Sequence, residues 1–115
     1  MQKKNYKGRC EKRVLDKCEG ICKTYDPIQH KFADDLQADS NIVKFQCKVP
    51  LNDLDIGEYT TDFVCYLENG DIMVRECVLR DHLTKPMTCK ILDASRIYWL
   101  NHGVSDWGLV LNAEK

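Results

Sequence analysis

Tyr59–Arg80, Y-T-T-D-F-V-C-Y-L-E-N-G-D-I-M-V-R-E-C-V-L-R, reads as two β-strands joined by a tight turn. Asn69-Gly70 supplies the turn, since positive φ costs glycine nothing and asparagine little. Tyr59–Glu68 and Ile72–Leu79 are rich in the β-branched and aromatic residues that strands favour. Side chains alternate across a strand, so Asp62, Val64 and Tyr66 share one side, as do Ile72, Val74, Glu76 and Val78. Two carboxylates thus stand on neighbouring strands where an apolar row calls for Val or Ile. A cation between them offsets the cost of burying them, whereas a solvated sheet face requires none.

The flanking sequence extends the hairpin into a domain. Asn41–Val49 forms a preceding strand that stops at Pro50, and the acidic Asn52–Glu58 connects it to the hairpin. Asp26-Pro27 is a helix start, with Asp as N-cap and Pro at the first position, for a helix from Pro27 to about Ala38. Upstream, Val14, Leu15, Cys18, Ile21 and Cys22 recur at helical spacing and predict a short helix over Arg9–Tyr25. After a loop at Asp81–Pro86, Met87–His102 reads as a helix that places Ile91, Leu92, Ala94, Ser95, Tyr98 and Trp99 inward. Gly103 closes it, and Val104–Leu111 forms the last strand. The expected fold is α/β: a single small domain over residues 9–115, with a mixed four-stranded sheet and flanking helices. Residues 1–8 form a basic arm.

At 115 residues there is room for one domain, and the net charge of −1 argues against a uniformly basic nucleic-acid binder. The charge is nonetheless segregated. Residues 1–24 carry eight Lys or Arg against three acids, leaving an acidic body. Lys3, Lys4, Lys7, Arg9, Lys12 and Arg13 are the candidate contacts to phosphate or an acidic partner, or else a solvated terminus. No apolar leader or membrane-length run is present, and seven cysteines are scattered along the chain. The economical reading is cytoplasmic, with reduced thiols. Cys18-x3-Cys22, with Cys10 upstream, has part of a zinc spacing but lacks a matching second pair.

Certain segments occur in a telling order: a helix, then I-V-K-F at 42–45, T-D-F-V at 61–64, N-G-D at 69–71 and V-R-E-C at 74–77. R-I-Y-W follows at 96–99 and G-V-S-D-W-G-L-V-L at 103–111. From Pro27 to Leu111 the chain resembles the N-terminal catalytic domain of TnsA-type transposase endonucleases, within the PD-(D/E)xK, or restriction-endonuclease-like, superfamily. That resemblance implies metal-dependent cleavage of DNA, with Asp62 and Glu76 holding Mg²⁺ or Mn²⁺. The lysine the family carries two residues after the second acid is replaced by Val78. The family's helix acid aligns with Gln29. Arg80, Lys85 and Lys90 are candidate replacement cations, and each is also an ordinary surface position. Arg75 should point away from Glu76.

His30, His82 and His102 share no ligand spacing. His102 suits a helix C-terminus, and His82 is one loop beyond Glu76. Cys65 and Cys77 read as small core residues, and Tyr98, Trp99 and Trp107 as core aromatics. Two functions follow. One is a small Mg²⁺-dependent endonuclease of a mobile element or phage, aided by Gln29 and by Lys90 or Arg80. The other is a catalytically silent nuclease fold that binds DNA or a nucleoprotein complex, as a recombination subunit or as an anti-CRISPR-like inhibitor of a host defence nuclease. A homodimer or a partner protein would complete either assembly.

Overall fold

One mixed sheet carries the domain in the computed structural model, which describes residues 11–51 and 59–112. The elements in chain order are β1 (Glu11–Arg13), β2 (Cys22–Thr24), α1 (Pro27–Ala38), β3 (Ile42–Leu51), β4 (Tyr59–Leu67) and β5 (Ile72–Val78). A 3-10 turn (Arg80–Thr84), α2 (Pro86–Asn101) and β6 (Asp106–Leu111) follow. The large sheet has the order β3-β4-β5-β6. Its first two pairings are antiparallel and the third is parallel. Parallel neighbours need a long crossover, and α2 provides it between β5 and β6.

Local chemistry sets the element ends. Asp26 Oδ1 accepts from the Gln29 N–H at 2.9 Å, capping α1, and Pro27 begins it. The hairpin turn places only Gly70 in the left-handed region, at φ 94°, and Asn69 Oδ1 accepts from the Asp71 N–H at 2.9 Å. Gly103, at φ 85°, follows the C-cap His102 and ends α2.

The helix expected over Arg9–Tyr25 is not formed by the described part of that stretch. Residues 11–13 and 22–24 instead pair as a small antiparallel ladder, Glu11↔Thr24 to Arg13↔Cys22. The reason is the open edge of β3. Phe45 N–H donates to the Lys17 carbonyl at 2.8 Å, and Glu19 N–H donates to the Phe45 carbonyl at 2.9 Å. A helix would use those backbone groups internally and leave the edge bare. Val14 shows that the helical spacing was misleading, because it is 82% exposed.

Each face of the sheet has its own core. Ala33 and Leu36 of α1 pack with Ile42, Phe45, Phe63, Cys65 and Cys77, and Cys18 and Cys22 close the same cluster. On the other side, Leu51 and Tyr59 meet Ile91 of α2, while Val64 and Val74 meet Val104 beside Trp99 and Trp107. Phe63 is 1% exposed and stands edge-on to Phe32, with ring centroids 5.2 Å apart. Phe63→Ala should therefore lower stability by about 3–5 kcal/mol in urea unfolding. A loss below ~1 kcal/mol would mean that this cluster is not the core.

Candidate functional site

A backbone irregularity builds the site. Lys48, at φ 56°, is the one non-glycine residue with positive φ among the described residues. That conformation costs a non-glycine residue about 1–3 kcal/mol, so the surroundings must hold it there. Pairing between β3 and β4 runs without a register shift from Cys47↔Phe63 to Val49↔Thr61, skipping Lys48 and Asp62. Sidedness changes across the gap. Cys47 and Phe63 pack with the α1 cluster, whereas Val49 packs toward Val64 and Trp99, and Thr61 Oγ1 accepts from Trp99 Nε1 at 2.9 Å. The simple alternation expected along Tyr59–Leu67 thus fails at Asp62, because the facing strand reverses its pleat at Lys48.

The β4–β5 ladder also opens there, its last pair being Phe63↔Arg75. Carboxylates supply the missing acceptors. Asp62 Oδ2 accepts from the Cys77 N–H at 2.8 Å, and Glu76 Oε1 accepts from the Asp62 N–H at 3.0 Å. Asp62 Oδ1 meets Lys48 Nζ at 3.1 Å, and Glu76 Oε2 accepts from Ser95 Oγ of α2 at 2.7 Å. Trp107 Nε1 donates to the same Ser95 oxygen at 3.1 Å. Both acids are fully buried, and the Lys48 side chain is 15% exposed. A buried charge requires a partner and hydrogen bonds, and each acid has them.

Two tyrosines complete the surroundings. Lys48 Nζ lies 4.6 Å from the ring centre of Tyr25, a cation–π contact. Tyr59, 2% exposed, has its phenol pushed far above the usual tyrosine range by burial, and then by the negative charge of Glu76 and Asp62. Gln29 is buried and its Oε1 accepts from the Tyr25 N–H at 3.1 Å, so it borders the site through Tyr25.

The other residues proposed from sequence lie elsewhere. Val78 is buried. Arg80 is exposed and donates through its N–H and Nε to Asn112, each at 2.8 Å. Lys85 and Lys90 are exposed, while Ile91, Leu92 and Ser95 make the buried side of α2. Arg75 points away as expected, its Nη2 pairing with Asp106 at 2.9 Å. Lys3, Lys4, Lys7 and Arg9 lie outside the described residues, as do Cys10 and the acidic connection at 52–58. Lys12 is exposed, but Arg13 is bound to α1 through the Asp34 carboxylate and the His30 carbonyl. His102 caps α2, its Nδ1 2.7 Å from the Tyr98 carbonyl.

Sequence reading missed Lys48. A lysine in an apolar strand was the available signal, but its meaning depends on a register that the 52–58 connection hides. The hard oxygen donors of Asp62 and Glu76 suit Mg²⁺ or Mn²⁺ in kind, and Lys48 shares the Asp62 carboxylate. Among the described residues, no helix is long and apolar enough to cross a membrane. No family model matches this chain, and no curated protein matches it.

Two measurements test this arrangement. Lys48→Ala removes the ammonium from a buried carboxylate and should cost roughly 3–5 kcal/mol at neutral pH, with Asp62→Asn in the same chain recovering part of it. Additive losses would mean that the pair is uncoupled. Because the Tyr59 pKa is raised in the folded state, its contribution to stability is complete below the ordinary tyrosine value of about 10. It is lost as pH rises through the folded value. Alkaline absorbance titration should show one phenol that ionises only with unfolding, and Tyr59→Phe should remove that step.

Proposed function

We propose that this chain is a metal-dependent DNA endonuclease of the TnsA type, with Lys48 as the cation of its active centre. The observation that carries the reading is the Lys48–Asp62 pair at 3.1 Å, beside a Glu76 that binds the Asp62 backbone. The resemblance called for two strand acids and a lysine near them. Val78 stands where the lysine was expected, and the cation comes from β3 instead.

The roles follow from these contacts. Asp62 and Glu76 are the residues that would hold Mg²⁺ or Mn²⁺, whose chemistry there is to acidify water and stabilise charge on a phosphodiester. Lys48 pairs with Asp62 and presents a positive charge from the partly exposed end of the pair, where a phosphate oxygen can meet it. Ser95, fixed by Trp107, orients Glu76. Arg80 and Lys90 are secondary here, since their contacts lie with Asn112 and solvent, while Gln29 is buried beside Tyr25 at the border of the site. Lys12 and the basic residues before it are the proposed phosphate contacts of the arm.

One observation favours a second reading. Both acids are fully buried and bonded to protein donors, as a structural network requires. In that case the fold is a silent nuclease scaffold that binds DNA or a protein partner of a mobile element or phage. A fold by itself does not settle activity.

Calorimetric titration of Mn²⁺ and Mg²⁺ into wild type and Asp62→Asn, with plasmid nicking in parallel, separates the two. The nuclease reading expects about one ion per chain, lost in Asp62→Asn. It also expects nicking that falls roughly 100–1000-fold in Lys48→Ala. Folded wild-type protein that takes up no ion and cuts no DNA would establish the silent scaffold.

A further inference from the structure

A second cluster lies on the other side of Lys48 along β3, apart from the carboxylates. Cys18 precedes the Gly20 turn, Cys22 opens β2 and Cys47 sits in β3, and their sulfurs all lie within 4.8 Å of one another. Tetrahedral zinc with bonds of about 2.3 Å sets its sulfurs roughly 3.8 Å apart, so a small contraction brings the three to a metal. This is the one group of three metal-capable side chains among the described residues.

We propose that Cys18, Cys22 and Cys47 bind a zinc ion that clamps the β1–β2 segment onto the edge of β3. On binding, each thiol gives its proton to solvent as the metal–sulfur bond forms, with no change in oxidation state. A fourth position is left for water or another donor. The backbone around the cluster is already arranged for thiolate, since the Lys23 N–H points at Cys47 Sγ from 3.2 Å.

The partner of the Cys18-x3-Cys22 pair is therefore a single cysteine more than twenty residues downstream, so no second C-x-x-C pair is needed. The three cysteines also join segments that are otherwise linked by few bonds. The Lys17 carbonyl and Glu19 N–H hold Phe45, and Glu19 meets Lys44 and Gln46, while the metal would add a bond two residues further along β3. Cys47 precedes Lys48, so the clamp also fixes the strand just before its reversal.

The test is titration of zinc into reduced, metal-free full-length protein against a chromophoric chelator, with cobalt substitution as a second probe. Expected are one zinc per chain, a thiolate-to-cobalt charge-transfer band with tetrahedral ligand-field absorption, and zinc protection of Cys18, Cys22 and Cys47 from alkylation mapped by mass spectrometry. Cys47→Ser should weaken zinc at least about 100-fold, and Cys89→Ser should leave it unchanged. Alkylation mapping in the wild type keeps the test valid even where Cys47→Ser fails to fold. Overturning results are zinc uptake that protects other cysteines, no uptake by folded reduced protein, or a cobalt spectrum without thiolate charge transfer.

Discussion

The pair of hydrogen bonds by which the Asp62 and Glu76 carboxylates accept from the backbone of the facing strand is the constraint on which the rest of the architecture depends. At this point the β4–β5 ladder is opened, and two carboxylate oxygens take the amide protons of Cys77 and Asp62. Unpaired amides in a buried sheet are costly, so the strands separate only because these acceptors are present. The acids in turn need Lys48 and Ser95, which come from β3 and α2. The edge strand β3 and the helix α2 are thereby tied to one pair of side chains.

Lys48 shows how a local cost is sustained by its surroundings. A lysine at φ 56° is strained, and an ordinary strand residue would carry its side chain along the regular pleat. The strain is held by an ion pair to Asp62, a cation–π contact with Tyr25, and ladder pairing on both sides. Reversal of the pleat sends Val49 and Leu51 toward α2 after Phe45 and Cys47 have faced α1. One strand thus serves both cores, and the charged residue occupies the crossover.

The edge of β3 explains the N-terminal segment. An open strand edge in a small domain invites pairing, and Lys17–Glu19 cover it through Phe45. Cys18 and Cys22 are carried into the α1 core by that contact, where they meet Cys47. The apolar spacing in this stretch therefore reflects two buried cysteines on extended chain. Leu15 packs beside them, and Val14 projects into solvent.

Much of the fold was legible because it rests on short-range rules. Asp26-Pro27 fixed the start of α1, Asn69-Gly70 marked the hairpin, and Gly103 marked the end of α2, each through the local geometry of two or three residues. The alternating and helical apolar patterns then implied the mixed sheet, and both acids stood out as carboxylates in an apolar row. The cation beside Asp62, the change of face at residue 48, the extended Glu11–Thr24 segment and the meeting of three cysteines were not legible. Each depends on which strands pair and in what register, between residues that local sequence patterns do not connect. Sequence by itself determined the local elements and the identity of the two acids. Tertiary structure alone decided what those acids touch, because only the folded sheet brings Lys48, Ser95 and the Cys77 amide to them.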